Sequence, residues 1–358
     1  MSARAIEARD VARTFGGGLG ILRRRRRVHA VMGVSLDVGA GETLGVVGET
    51  GSGKTTLARM LAGLDRPTSG AVLLDGAETS ALAQEGRKAL ARTIQYVFQN
   101  PVASLNPRRT VAQTLAAPLA RLDVSPRAER AARIARLLDD VGLSPALLDR
   151  YPHEISGGQA QRVAIARALA AEARMLVLDE PVSALDVSVQ AQILNLLADL
   201  KAEHGLTYVF IGHDLAVVES DADRIAVMYF GRIVEIAPAG RLFHQPRHPY
   251  TDLLRRSAPR LGAARSTRPA GAPTELPDPT RPPRGCAFAA RCPLADARCR
   301  AERPPLAGDG AGETLGDVGE TASGKTTLAR MLAGLDRPTS RAVLLDGAET
   351  SALAQEGR

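Results

Sequence analysis

Short aliphatic runs alternate with stretches of helical spacing along most of this chain. The runs TLGVV (43–47), AVLL (71–74), IQYVF (94–98), MLVLD (175–179), LTYVFI (206–211) and RIAVMY (224–229) read as short buried strands. Between them, apolar residues at helical period predict helices over Lys54–Leu64, Gln161–Ala171 and Val187–Lys201. Strands alternating with helices predict an α/β fold around a mostly parallel sheet. The pattern stops near Ser257. From Pro259 to Gly285 the chain turns rich in Pro, Arg and Ala, as linkers do, and a segment with three cysteines follows.

The last 49 residues then repeat earlier ones. Residues 310–358 match 39–87 at an offset of 271, with 46 of 49 positions identical. The differences are Val46 to Asp317, Gly51 to Ala322 and Gly70 to Arg341. Repeats that stack into solenoids diverge and pack as complete units, so this one reads as a partial copy. The expected organisation is therefore 1–257, 258–309 and 310–358.

Composition narrows the class. With 358 residues and 45% hydrophobic content, the chain can bury a core and is not a disordered one. No apolar run approaches the roughly 18–20 residues of a membrane span, and the N-terminus lacks a signal-peptide core, so the expected compartment is the cytosol. A net charge of +7 suits nucleic acid, an anionic membrane surface or nucleotides, and does not choose among them. Cys286, Cys292 and Cys299 form an odd cluster, which in a cytosolic chain reads as metal or cluster ligands sooner than as disulfides. The arginine run Leu22–Val28 fits contact with anionic headgroups or acidic loops of a partner, or simply a solvated loop.

Three motifs carry chemistry. GETGSGKT, covering Gly48, Glu49, Thr50, Gly51, Ser52, Gly53, Lys54 and Thr55, is entered by an apolar strand and left by a helix that begins with Lys54, Thr55 and Thr56. Glycines let backbone N–H groups curl around phosphates, and the helix N-terminus adds its positive end. Lys54 should reach the β- and γ-phosphates of a nucleotide and Thr55 should offer a hydroxyl to Mg²⁺. RMLVLDEP ends a strand in two carboxylates. Asp179 at the tip suits Mg²⁺, and Glu180 suits polarising an attacking water. The third, Ser156-Gly157-Gly158-Gln159, opens an apolar-periodic helix and so offers a second anion-binding N-terminus.

The stretch HEISGGQAQRVAIARAL resembles the signature motif of ABC ATPases, and other elements of that family follow in order. The resemblance implies a P-loop NTPase fold with a RecA-like core, an antiparallel β subdomain and an α-helical signature subdomain. It implies that Gln99 in YVFQNP senses the γ-phosphate and Mg²⁺, that Asp186 ends a loop (SALD) crossing a dimer interface, and that His213 in FIGHD contacts the γ-phosphate. Phe15 stands where the family places the aromatic that stacks on adenine. In that family the signature of one subunit caps ATP held by the loop of another.

NPVASLNPRRTV and FHQPRHPYTDLLRRSAP narrow the likeness to the ATPase subunits of oligopeptide and dipeptide importers, and it continues through RPPRGCAFAARCPLADARCRAERPPL. This implies ATP and Mg²⁺ as cofactors and, as partners, a related ATPase in a heterodimer, two transmembrane permeases and an extracytoplasmic solute-binding protein. It implies the cytoplasmic face of the inner membrane and no nucleic acid. A related importer for nickel or another small solute is the alternative, and a soluble ABC ATPase acting on DNA or ribosomes is further off. The family's small C-terminal domain carries a fourth cysteine that is missing here. Zinc or an iron–sulfur cluster at Cys286, Cys292 and Cys299 would thus lack one ligand. The repeat keeps Gly319, Gly324, Lys325 and Thr326, yet no signature, carboxylate pair or histidine follows it. It is expected to be non-functional, with Asp317 keeping it from displacing the first copy.

Overall fold

The computed structural model describes residues 4–16, 26–257, 277–304 and 306, with 344–345 and 348–349. Most of the expected linker (258–276), most of the arginine run, and Asp317, Ala322, Lys325 and Arg341 lie outside the described residues. These fall into two compact units, the first holding 4–257 and 277–282, the second holding 283–304 and the two short strands of the tail.

The chain opens with β1 (Arg4–Phe15) and β2 (Val28–Gly39), a long antiparallel pair. After β3 (Thr43–Val47) and α1 (Lys54–Leu61) come β4 (Ser69–Leu74) and β5 (Ala77–Glu78). Strands β1, β2, β4 and β5 make one antiparallel sheet in the order β2-β1-β4-β5. AVLL, expected in the parallel sheet, thus belongs to this other one, where β4 runs antiparallel to β1. Its four aliphatic residues look like any buried strand, and pairing direction leaves no trace in so short a run.

Helices α2 (Thr79–Glu85) and α3 (Arg87–Thr93) lead to β6 (Ile94–Val97). Then α4 (Pro101–Ser104), α5 (Val111–Arg121), α6 (Arg130–Asp140) and α7 (Gly157–Leu169) pack on one another as a helical layer. Strand β7 (Met175–Asp179), α8 (Val187–His204), β8 (Thr207–Gly212), α9 (Leu215–Asp221), β9 (Arg224–Tyr229) and β10 (Arg232–Pro238) complete the main sheet, ordered β10-β9-β3-β8-β7-β6. All neighbours in it are parallel except β10 on β9. The first unit closes with α10 (Ala239–His244) and α11 (Pro249–Ser257); α12 (Ala297–Ala301) belongs to the second.

Every residue of β3, β7 and β8 is buried, as continuous apolar runs require when both faces are covered. One core joins the two sheets, running from Ile6, Val11 and Val72 through Leu57 and Leu61 of α1 to Val46, Val177 and Ile211. In the helical layer, Arg167 on α7 is half-buried and donates to Ser104 O at 2.7 Å, tying this helix to α4, and desolvation pulls its pKa below the usual guanidinium value. Arg162 donates to Val141 O at 2.6 Å.

Gln161 on the same helix is fully buried, and neither its amide oxygen nor its nitrogen has a hydrogen-bond partner among the described residues. An unpaired buried amide costs about 1–3 kcal/mol, whereas an apolar side chain of similar shape does not. Gln161→Leu is therefore expected to raise stability by about 1 kcal/mol in urea unfolding; a drop would show that the amide has a partner after all.

Candidate functional site

Parallel pairing sets the site. Val47 at the end of β3 lies opposite Gly212 of β8, Ile211 of β8 opposite Asp179 of β7, and Leu178 of β7 opposite Val97 of β6. The loops that leave these strands therefore emerge at one edge, bringing together residues 48–55, Gln99, Asp179, Glu180 and His213.

Lys54 begins α1, is buried, and its Nζ donates to Gly48 O at 2.7 Å and Glu49 O at 3.1 Å. Burial lowers the pKa of this ammonium, and the charges of Glu180, Asp179 and Glu49 oppose that shift. Ser52 is fully buried, with its Oγ lacking a partner among the described residues, while Thr50, Gly51 and Thr55 are exposed at the mouth. Thr56 is half-buried on α1. An orphan hydroxyl, a buried ammonium and exposed loop residues beside a helix start fit a polyphosphate.

Asp179 is buried at the tip of β7. Its Oδ1 accepts from Thr55 Oγ1 at 3.5 Å and its Oδ2 from Tyr96 Oη at 2.5 Å. Burial pushes this carboxyl above the ordinary range, and the Tyr96 bond opposes the shift. Burial also pushes the Tyr96 phenol up, reinforced by the charge of Asp179. Tyr96 was not singled out from sequence. The signal was there, since a phenol within a buried strand has to find a partner.

Glu180 sits at φ 46°, in the left-handed region that non-glycine residues rarely occupy. The backbone there is pinned three times: Glu180 N–H donates to Ile211 O at 3.0 Å, and Ser183 N–H and Oγ donate to Glu180 O at 3.2 and 3.1 Å. Strain of this kind persists where surroundings over-determine it, often at reactive centres. The turn delivers the carboxylate to Gln99, whose Nε2 donates to Oε2 at 2.7 Å, and to His213, whose Nδ1 lies 3.4 Å from the same oxygen.

Other expected residues lie elsewhere. Ser156 caps α7 in a reciprocal box with Gln159, accepting from its N–H at 3.3 Å and donating its own N–H to Oε1 at 2.9 Å. Ser156 and Gly157 are exposed and Gly158 and Gln159 half-buried, and no hydrogen bond among the described residues links them to Lys54 or Glu180. Asp186 stands at the N-cap of α8, followed by Val187 at 82% exposure. Phe15 ends β1 half-exposed, with the Arg13 guanidinium 4.8 Å from its ring centre.

In the second unit, Cys286 N–H donates to Cys299 O at 2.8 Å and Cys299 N–H to Asp296 Oδ1 at 2.7 Å. Burial raises all three thiols above their usual pKa. Among the described residues, only Asp140, Glu203 and His204, near the surface, bring three potential ligand atoms within 4.8 Å of one another. The three sulfurs do not.

The repeat can be measured against the first copy. Val46, the position of Asp317, is 0% exposed between Ile211 and Ala226. Gly51, the position of Ala322, has φ 82°. Gly70, the position of Arg341, has φ 80°, and a Cβ there would lie 2.3 Å from Asp10 O. All three differences thus fall where the first copy's structure disfavours the residue that the tail carries. The tail strands Leu344–Leu345 and Ala348–Glu349 pair as Leu73–Leu74 and Ala77–Glu78 do, in the same register.

Residues 31–183 match the ABC transporter family model, and residues 234–299 match the model of the oligopeptide/dipeptide transporter C-terminal region. A probable peptide ABC transporter ATP-binding protein of Sinorhizobium fredii is 53% identical over 78% of this chain and 79% of that protein. A di/tripeptide transport ATP-binding protein of Pseudomonas aeruginosa is 46% identical over 84% of this chain and 93% of that one. The chain belongs to the ATP-binding subunits of the oligopeptide/dipeptide ABC transporter family. Its fold matches a solved dimeric ATP-binding cassette bound to ADP and Pi, with TM-score 0.59 and 31% identity over 65% of this chain and 98% of that one. This ABC ATPase thus has the nucleotide-binding fold its motifs implied, and no helix among its described residues is long and apolar enough to cross a membrane.

Tyr96 generates a test. Removing its hydroxyl frees one oxygen of Asp179 and leaves the ring in place. Tyr96→Phe is expected to raise the Mg²⁺ concentration giving half-maximal ATP hydrolysis roughly tenfold to a hundredfold, the worth of one bond to a charged group, with metal-free nucleotide binding unchanged. An unchanged Mg²⁺ dependence would remove Tyr96 from the site.

Proposed function

We propose that this ATPase hydrolyses ATP at the edge formed by Gly48–Thr56, Gln99, Asp179, Glu180 and His213, and that this drives uptake of oligopeptides or dipeptides. One observation carries the chemistry. A carboxylate on a pinned left-handed turn is aimed at Gln99 and His213, next to a second carboxylate bonded to the hydroxyl that follows Lys54. Peptide as cargo is supported by the functions of the related peptide-transport proteins and by the C-terminal match.

Each residue then has a task. Lys54 and the loop amides hold the phosphates, and Ser52 finds in them the partner it otherwise lacks. Thr55, Asp179 and Gln99 would hold Mg²⁺, which when bound neutralises charge on the phosphate oxygens. Glu180 accepts the proton of the attacking water, and His213 and Gln99 keep its carboxylate aimed. Phe15 offers a ring face for the adenine.

The site is incomplete in one chain. Ser156–Gln159 presents a helix N-terminus to solvent away from Lys54, which supports a second ATPase, a related chain, supplying its own signature across the interface. Asp186 and the exposed Val187 lie on that interface. Two permeases and a solute-binding protein complete the importer, placing this subunit on the cytoplasmic face of the inner membrane without nucleic acid. Residues 1–257 are the working cassette, 258–309 the linker and C-terminal region, and 310–358 a copy without function. No zinc or iron–sulfur cluster enters this reading.

Two measurements decide it. In the assembled transporter, Glu180→Gln should cut ATP hydrolysis at least a hundredfold, in line with the usual worth of a positioned general base, and keep Mg-ATP binding. In the full-length chain, Lys54→Ala should abolish saturable Mg-ATP binding. Residual binding removed by adding Lys325→Ala would mean that the tail folds into a site of its own.

A further inference from the structure

The segment before α11 reads His248-Pro249-Tyr250 and lies within the C-terminal region that marks the peptide-transporter family. Tyr250 is 0% exposed, and its ring meets that of Tyr229 on β9 with centroids 4.5 Å apart and planes tilted by 57°. Its hydroxyl accepts the N–H of Glu49 at 2.8 Å, a bond spanning 201 residues of sequence. Glu49 is the second residue of the loop whose carbonyls hold Lys54.

The tyrosine is itself held in place. Glu235 on β10 is fully buried and accepts the N–H groups of Arg247 at 2.9 Å and His248 at 3.0 Å. His248 Nδ1 accepts the N–H of Tyr250 at 3.1 Å, and burial holds this imidazole down at about 4, so it stays neutral and able to accept. The opposite side of the loop is braced by Gly231 N–H on Ser52 O at 2.7 Å, but that contact comes from the β9–β10 turn within the sheet. Tyr250 brings a side chain from beyond the sheet into the loop, and a carboxylate that is costly to bury keeps the segment before it in place.

We propose that Tyr250 is a positioning residue for the phosphate-binding loop, through which the C-terminal extension sets the affinity of this subunit for nucleotide. By fixing the Glu49 amide, it selects the loop conformation in which the amides beyond Glu49 are arranged for phosphate. Binding of nucleotide and ordering of residues 247–257 are then coupled, and the coupling acts equally in both directions. The inference rests on the reading of residues 48–55 as the ATP site.

The test uses the full-length chain with Mg-ATP in titration calorimetry, and Lys54→Ala as the check on that underlying reading. Tyr250→Phe keeps the ring and loses the bond. It is expected to weaken Mg-ATP binding roughly threefold to tenfold, the worth of one buried hydrogen bond. Tyr208→Phe is the control, since it removes a buried phenol bond to Leu197 O at the far end of the sheet, and it should leave affinity within twofold. Hydrogen exchange on the unmutated chain adds a second readout: Mg-ATP should slow exchange at 247–257. Tyr250→Phe binding as tightly as the unmutated chain, an equal loss in Tyr208→Phe, or exchange at 247–257 unmoved by Mg-ATP would each overturn the proposal. If Lys54→Ala still bound Mg-ATP fully, the site assignment itself would fall, whatever Tyr250 did.

Discussion

Burial of β3 on both faces is the constraint on which the rest depends. A strand between β9 and β8, covered by helices on each side, has one register and one direction available to it. Once β3 is fixed, the parallel strands beside it share an end, and the loops bearing residues 48–55, Gln99, Asp179, Glu180 and His213 leave from that end. The glycine loop, the two carboxylates and the histidine are far apart in sequence and meet because four strands stop at one line. Ligands in open α/β sheets gather at such edges for this reason.

How legible this was depended on whether a feature was local. The parallel strands of the main sheet announced themselves as aliphatic runs, and the loops bearing Lys54, Gln99, Asp179, Glu180 and His213 sat directly after them, so the edge that gathers these residues could be read from the sequence, whereas β10 could not. The long pair β1–β2 was harder, because strands with one exposed face carry mixed sequences. AVLL could be seen to be a strand but not whose partner it was. Tyr96 and Tyr250 were missed for a different reason. Each acts through a hydroxyl whose partner is 83 or 201 residues away, and nothing in the neighbouring residues encodes that distance.

The helical layer shows a division of labour. The turn before α7 uses Ser156 and Gln159 to cap each other, which fixes the helix start while leaving Gly157 open to solvent. Behind it, the half-buried Arg167 links the same helix to the segment that follows Gln99.

The turn at Glu180 has a consequence for anyone improving this protein. Its left-handed backbone favours glycine or asparagine over glutamate by about 1 kcal/mol or more. Screens for heat resistance sort on folding alone, so they would drift toward those residues at position 180 and discard the carboxylate without registering a loss. With Glu180 in the role proposed for it, durability and turnover conflict at this one residue, and a stabilised library of this chain has to hold it fixed.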